Sequence, residues 1–298
     1  MARERARRAE LLARIIDTRQ LTYDRARHIG AQAHTQLSPQ LYYPTHQWET
    51  LPRHDRRFLL ACAAVRNNTK TALIGRSAAR VGGMWVVALT DEKVELAMPG
   101  SGIGPSVRNN PGYRTYHLNL CPTETYEADG YRATRLTRTA IDIARLHGFA
   151  EGLIAFDWLL RSGQDIRDIE LEVRRMGRFK GVRTVRRCLR HATELSESPF
   201  ESLARALLIE AGFDPQPQWR VGTYRADLAI EGWLLIEIDG DSKYVTDTAE
   251  VIKRENDRKK RIENQGYKIM RYRPRDLLVD PAKFIDEVAA ALYTTRVS

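Results

Sequence analysis

The sequence contains few cysteines and no long apolar run. Its three cysteines, Cys62, Cys121 and Cys188, are odd in number and widely spaced among 298 residues. They form neither a zinc-ligand pattern nor a disulfide framework, which is typical of a reducing compartment, and we expect a cytoplasmic protein. No apolar stretch approaches the ~20 residues that a membrane-spanning helix needs, and the arginine-rich residues 2–14 lack the apolar core of a secretory signal. A membrane partner is therefore not expected.

Acidic residues are scarce relative to basic ones. The chain has 48 Lys and Arg against 38 Asp and Glu, a net charge of +10. Two basic blocks contribute to this excess: Arg174–His191, with eight Lys or Arg and no acid, and Lys253–Arg261. Such blocks either form solvated basic faces or bind the phosphates of a nucleic acid without reading its sequence. The candidate nucleic-acid contacts are Arg174, Arg175, Arg178, Lys180, Arg183, Lys253, Arg254, Arg258, Lys259 and Arg261.

Three acids in the C-terminal third stand out because of their positions in two adjacent apolar runs. Asp227, Glu237 and Asp239 all have odd numbers, whereas the even positions are apolar. Because the side chains of a strand alternate between faces, this parity predicts one continuous apolar face and places the acids on the other. The apolar positions are Leu228, Ile230, Leu234, Ile236 and Ile238.

The turn between these runs decides which residues face each other. A loop of residues 231–233 sets Asp227 opposite Glu237, whereas a loop of residues 231–232 would pair Asp227 with Ile236 and split the apolar face. The hydrophobic pattern therefore predicts the longer loop. Opposed carboxylates repel each other unless a cation lies between them, and hard carboxylate oxygens favour Mg²⁺ or Mn²⁺.

The flanking segments predict alternating helices and strands. Ser198 and Pro199 are an N-cap and N1 pair, and the helix that they begin, with Phe200, Leu203, Leu207 and Leu208 on one face, ends before Gly212. The predicted order is helix, three strands, helix, strand, helix, within an α/β (α+β) chain. The other predicted elements of this segment are a strand at 218–221, a charged helix at 248–265, a strand at 267–272 and a last helix at 281–293.

This C-terminal segment carries several marks beyond its element order. They are Glu201 in the first helix, Asp227, the Glu-Ile-Asp-Gly run at 237–240, Arg258 in the charged helix and the Gly266-Tyr267 strand entry. Together these marks resemble the very-short-patch-repair-like branch of the PD-(D/E)XK nuclease superfamily, over Ser198 to Tyr293. The resemblance implies a restriction-endonuclease-like core and metal-dependent hydrolysis of phosphodiesters.

The resemblance also implies roles for individual residues. Asp227 and Glu237 would be metal ligands for Mg²⁺ or Mn²⁺, helped by the backbone carbonyl of Ile238. Glu201 would hold a metal-bound water. Each acid also has a purely structural interpretation. For Glu201 this is a capping box, because Glu201 stands three residues after Ser198.

Two positions depart from the pattern of the superfamily. Where the usual motif has Lys two residues after the Glu, this chain has Asp239, and the His that the branch often carries four residues further on is Lys243 here. Lys243 could polarise the scissile phosphate or orient the attacking water. Asp239 and Lys243 complete the candidate catalytic set, and Asp239 with Gly240 could also simply end the strand in a turn.

Upstream of residue 196 the signals are weaker. A helix at Ala9–Asp17, a second helix from Thr22 to Gly30 and a strand at 41–44 suggest a winged-helix DNA reader. Strands at 93–98 and 114–120 and a helix at 136–147, ended by Gly148, suggest a mixed α/β body. With Arg76-Ser-Ala-Ala79 and Arg138-Thr-Ala-Ile-Asp-Ile-Ala144, this arrangement resembles the AbiEi-type antitoxins of toxin–antitoxin and abortive-infection systems. The predicted domains are 1–48 (winged helix), 49–195 (antitoxin-like middle) and 196–298 (nuclease-like).

Two functions follow from these patterns. One is a metal-dependent DNA endonuclease, acting in phage defence or a toxin–antitoxin setting. The other is a non-catalytic DNA-binding transcriptional regulator of the AbiEi antitoxin type, in which the nuclease fold has become a binding module. The sequence alone leaves open the choice between DNA and structured RNA, the number of metals and the oligomeric state.

Overall fold

The computed structural model describes residues 2–27, 29, 33–68, 70–99, 107, 109–239 and 260–295. The chain divides into two compact units: Met1–Met84 with Thr90–Asp142, and Trp85–Leu89 with Ile143–Ser298. Both units mix helices and strands, so the predicted α+β class is confirmed. No helix in the described part of the chain is both long and apolar enough to cross a membrane. The division into three domains stays a prediction.

The first unit begins with a small sheet and two helices. Strands β1, β3 and β2 pair in that order, all antiparallel. The predicted helix Ala9–Asp17 is wrong in its bounds, because Ile16 and Asp17 pair with the hairpin strand at Tyr42 and Leu41. The elements are α1 (Ala2–Ala13), β1 (Ile16–Asp17), α2 (Tyr23–Arg27), β2 (His34–Ser38) and β3 (Leu41–Pro44).

A second sheet forms the rest of this unit. Its strands have the order β6-β5-β4-β8-β7, and the predicted strands at 93–98 and 114–120 correspond to β5 and β6. The elements are α3 (Thr45–Thr50), α4 (Arg53–Arg66), β4 (Ala72–Leu73), α5 (Gly75–Gly82), β5 (Val94–Met98), β6 (Tyr113–His117), β7 (Thr125–Ala128) and β8 (Tyr131–Thr134).

Arg76 and Arg138, the arginines of the two antitoxin-like motifs, are both buried in this first unit. Arg138 binds Glu124 at 2.6 Å and Asp142 at 3.1 Å. Both arginines therefore lie in the interior of the first unit and have a structural role there.

The second unit contains a helical part and then the predicted nuclease-like order. The helices are α6 (Leu136–His147, shared with the first unit), α7 (Phe149–Arg161), α8 (Ile166–Arg175) and α9 (Val182–His191). Then follow α10 (Pro199–Glu210), β9 (Gln216–Val221), β10 (Tyr224–Ile230), β11 (Leu234–Ile238), β12 (Lys268–Tyr272), α11 (Pro274–Val279) and α12 (Pro281–Thr295). Helix α11 was not predicted. Residues 260–263 are helical, as predicted, and the rest of the charged helix, 248–259, lies outside the described residues.

The C-terminal sheet has the strand order β12-β11-β10-β9, with β11 and β12 parallel and the other pairs antiparallel. Strands β10 and β11 pair Leu228 with Ile236 and Ile230 with Leu234. This register leaves residues 231–233 as the loop, as the hydrophobic pattern predicts. The next step of the same register sets Asp227 opposite Glu237.

The prediction of a single apolar face is too simple. The even positions from Leu228 to Ile236 are buried, but Ala229 and Leu235 on the other face are fully buried too. They pack with Ile262 and Ile269, because the helical residues 260–263 lie against that face near the hairpin loop and Ile269 of β12 is the neighbour of Leu235 within the sheet. The acids of β10 and β11 lie farther along these strands, away from the hairpin loop.

Helix α10 is also buried on more than one side. It contacts β10 and β11 on one side and α7 on another. Ala204 and Ala206 are fully buried beside Leu203 and Leu208. More of this helix is therefore buried than the face of Phe200, Leu203, Leu207 and Leu208 that the sequence predicts.

Candidate active site

Asp227 is the centre of the acid cluster. Its Oδ2 accepts a hydrogen bond of 2.7 Å from the backbone N–H of Ile238. Burial raises the pKa of Asp227 to about 7, the Ile238 N–H opposes this rise, and the negative charges of Glu201, Glu237 and Asp239 add to it. Asp227 thus lies within electrostatic range of the other three predicted acids. Because the negative charges of these acids repel one another, a cation bound among them would be stabilised.

Glu201 takes part in both a helix cap and the cluster. The side chain of Ser198 accepts a hydrogen bond of 3.1 Å from the Glu201 N–H, and Glu201 Oε2 accepts one of 2.8 Å from the Glu197 N–H. Glu201 Oε2 also accepts a bond of 3.0 Å from the amide of Gln218. Burial raises the pKa of Glu201. The backbone N–H of Glu201 therefore belongs to the Ser198 cap, whereas its side chain binds the Glu197 N–H and Gln218 instead of the Ser198 N–H that a capping box would use.

Gln218 is a site residue that sequence reasoning missed. It lies in β9 with a φ of 55°, in the left-handed region, which non-glycine residues seldom adopt. This conformation accompanies the amide's contact with Glu201. Strained backbone of this kind persists where surrounding structure holds it, often at functional sites. No local pattern indicates it, because Gln is not a typical left-handed residue.

If the site hydrolyses phosphodiesters, as the resemblance of the sequence implies, we expect Gln218→Gly to lower that activity while leaving stability nearly unchanged. Relief of the left-handed backbone, about 1–2 kcal/mol, offsets the lost hydrogen bond of about 1 kcal/mol. Because the carboxylate of Glu201 loses the group that orients it, we expect cleavage to fall about 10–100-fold. Urea denaturation and plasmid cleavage measure the two effects, and an unchanged cleavage rate would contradict the positioning role.

Glu237 and Asp239 share a cation that was also missed. Arg271 in β12 is the register partner of Glu237. Its Nε lies 2.5 Å from Glu237 Oε2 and 4.0 Å from Asp239 Oδ2. The position of Arg271 depends on the parallel pairing of β11 and β12, which the sequence pattern does not specify.

The donor atoms fit a hard divalent cation. Among the described residues, no three His, Cys, Asp or Glu side chains stand together as a ready metal site. Asp227 accepts a hydrogen bond from the Ile238 N–H, and Glu237 binds Arg271. Carboxylate oxygens with an excess of negative charge are nevertheless the donors that Mg²⁺ and Mn²⁺ prefer. Predicted Lys243 lies outside the described residues.

The first predicted basic block forms an exposed surface on α8 and α9. Its predicted contacts Arg174, Arg175, Arg178, Lys180 and Arg183 are all exposed. Exposed ion pairs join Arg174 to Glu170 at 3.7 Å and Arg175 to Glu172 at 2.7 Å. Exposed ion pairs of this kind contribute little to the free energy of unfolding. A groove between the two helices is lined by Glu170, Val173, Arg174, Arg186, Leu189 and Arg190.

Of the contacts predicted in the second basic block, the described residues include only Arg261. It is exposed beside the buried Ile262. The predicted contacts Lys253, Arg254, Arg258 and Lys259 lie outside the described residues.

The strand order and the acids on strands β10 and β11 are those of a restriction-endonuclease-like domain. Residues 200–292 match the family model REase_MTES_1575. The match covers less than half of the chain, so it characterises the C-terminal domain. No curated protein and no solved structure showed a significant match.

Proposed function

We propose that the protein is a metal-dependent DNA endonuclease of the very-short-patch-repair-like type, with Asp227 and Glu237 as its metal ligands. The observation that carries this proposal is the half-buried Asp227 on β10, which accepts a hydrogen bond from the Ile238 N–H of β11 and lies within range of the charges of Glu201, Glu237 and Asp239. It lies within the restriction-endonuclease-like match. The resemblance noted in the sequence supports the finer assignment to this type.

The residues would divide the work of hydrolysis. Asp227, Glu237 and the carbonyl of Ile238 would hold Mg²⁺ or Mn²⁺, which supplies charge for the phosphate and an acidified water. Glu201, held by Gln218, orients the attacking water. That water gives up one proton to solvent as its oxygen bonds to phosphorus, the P–O ester bond breaks with its electron pair on the leaving oxygen, and that oxygen takes a proton from solvent. We propose that Lys243 assists at the phosphate.

Incubation with supercoiled plasmid in Mg²⁺ or Mn²⁺ tests this proposal. We expect nicking or linearisation by the wild type and none by Asp227→Ala or Glu237→Ala. Asp286→Ala is a matched control, because it removes an exposed acid of α12 away from the cluster. Persistent cutting by Glu237→Ala would refute the assigned site.

We expect the basic groove of α8 and α9 to contribute phosphate contacts. Replacing Arg174, Arg186 and Arg190 with Gln should weaken DNA binding and reduce the slope of log K against log salt by about one per lost contact. Arg167→Gln removes an exposed arginine of α8 outside the block and is the matched control. Fluorescence anisotropy at several salt concentrations measures the slope. Equal slopes for wild type and triple variant would contradict this role.

A second candidate function is a DNA-binding regulator of the AbiEi antitoxin type. The observation that favours it is the first unit's small sheet, in which α1 and α2 precede the hairpin β2-β3, an order compatible with a winged helix. If no variant or wild type cleaves while DNA binding persists without metal, this function is supported instead. The same assays on RNA distinguish the two nucleic acids.

A further inference from the structure

The strand that carries Glu237 has no cation of its own. Residues 234–239 read Leu-Leu-Ile-Glu-Ile-Asp, so Asp239 occupies the place at which the nuclease motif usually has lysine. The neighbouring parallel strand supplies a positive charge at the same level. Arg271 Nε lies 2.5 Å from Glu237 Oε2 and 4.0 Å from Asp239 Oδ2.

Arg271 can also reach beyond these acids. Its side chain is 32% exposed. It lines a pocket of about 390 Å³ together with the cations Arg275 and Lys283 and the acids Asp276, Asp280 and Glu287. Glu237 is only 12% exposed, so the pair is partly buried, but the exposed part of the guanidinium is accessible to a second anionic partner. The guanidinium is always charged, so Arg271 cannot act as a general base.

We propose that Arg271 is a catalytic residue of this site, one that neutralises Glu237 and Asp239 in the metal-free protein and contacts the scissile phosphate during cleavage. The proposal rests on the proposed nuclease function. A divalent cation held by Glu237 competes with Arg271 for the negative charge of this carboxylate, so metal binding weakens the ion pair and lets the guanidinium turn to a phosphate. Its planar array of donors matches a phosphate, and it transfers no proton.

The test compares Arg271→Gln, Arg271→Lys and Arg275→Gln. Arg275→Gln removes a cation of the same pocket without an ion pair to Glu237 among the described contacts and is the matched control. Isothermal titration measures Mn²⁺ affinity without DNA, anisotropy measures DNA binding in Ca²⁺, and plasmid cleavage is measured in Mn²⁺.

We expect Arg271→Gln to bind Mn²⁺ about tenfold more tightly, because the competing charge is gone. Its cleavage should fall about 10²–10³-fold, the usual effect of removing one donor to the transition state. Arg271→Lys should keep near wild-type Mn²⁺ affinity and recover part of the cleavage. It also provides the comparison if the Gln variant does not fold.

Unchanged or weaker Mn²⁺ binding by Arg271→Gln would overturn the counter-ion role. Cleavage by that variant at the wild-type rate would overturn the phosphate contact. If the wild type itself never cleaves, the proposed function fails and the catalytic role of Arg271 with it. The Mn²⁺ comparison would then still decide whether Arg271 competes for these acids.

Discussion

Asp227→Asn is expected to abolish cleavage and, at the same time, to make the metal-free protein more stable above pH 7. Burial and the charges of Glu201, Glu237 and Asp239 raise the pKa of Asp227 to about 7. At pH 8 the folded protein must therefore hold an ionised carboxylate where its environment favours a neutral group. Asparagine has nearly the same shape and no charge, so it removes this conflict, and it is a poor ligand for a hard cation.

The pH dependence has a definite sign. In the unfolded chain Asp227 titrates near its ordinary value of 3.8, whereas in the folded protein its pKa is about 7. The stability contributed by the proton is complete below pH 3.8 and is lost as the pH rises through 7. We expect Asp227→Asn to be more stable than the wild type by about 1–3 kcal/mol at pH 8, after allowance for solvent screening.

Chemical denaturation between pH 4 and 8 measures this difference in EDTA. The advantage of Asp227→Asn should shrink towards pH 4, while Asp286→Asn, which changes an exposed acid, should show no such trend. Adding Mn²⁺ at pH 8 should stabilise the wild type and leave the variant unchanged. A variant less stable than the wild type at pH 8 would contradict the description of Asp227 as a strained carboxylate.

The C-terminal hairpin could be predicted because successive side chains of a strand alternate between the two faces of the sheet. The parity of Asp227 and Glu237 and the need for a continuous apolar face together select one loop length. The first-helix acid was likewise predictable, since Ser198, Pro199 and Glu201 form a local capping signal. These are short-range patterns, and each is complete within a few residues.

The missed residues depend on longer-range geometry. Arg271 reaches Glu237 only through the parallel pairing of β11 and β12, whose register is set by packing across a long connection. The left-handed φ of Gln218 has no sequence signal. By contrast, Pro274 after Arg273 could have indicated α11, because proline at N1 with Asp276 two residues later is a helix-start pattern.

Local sequence patterns also could not predict the buried contact between helices α7 and α10. Asp157 is fully buried and binds Arg205 of α10 at 2.8 and 2.9 Å. Asp157 also accepts bonds from the Thr193 N–H at 2.9 Å and the Ser196 hydroxyl at 3.2 Å. The sequence of α10 places Arg205 among apolar residues but does not indicate which acid pairs with it. That acid, Asp157, lies 48 positions earlier in the chain.

Asp157→Ala is expected to lower the free energy of unfolding by about 3–5 kcal/mol, since it leaves the buried guanidinium of Arg205 without a counter-charge. Arg225 and Glu197 form a pair at the same 2.8 Å, but both side chains are over 40% exposed. The control Arg225→Ala should therefore cost at most about 1 kcal/mol. Urea denaturation of both variants measures the contrast.

The double variant Asp157→Leu with Arg205→Met separates charge from packing. Because it removes both charges and restores apolar volume, it should recover much of the stability that Asp157→Ala loses. A fragment that begins at Ser196 keeps Arg205 but lacks both Asp157 and helix α7, so it exposes the side of α10 that α7 covers. We expect that fragment to be unstable and a fragment from Ile143 onwards to fold. A stable fragment from Ser196 would show that the Asp157 network is dispensable for the nuclease-like domain.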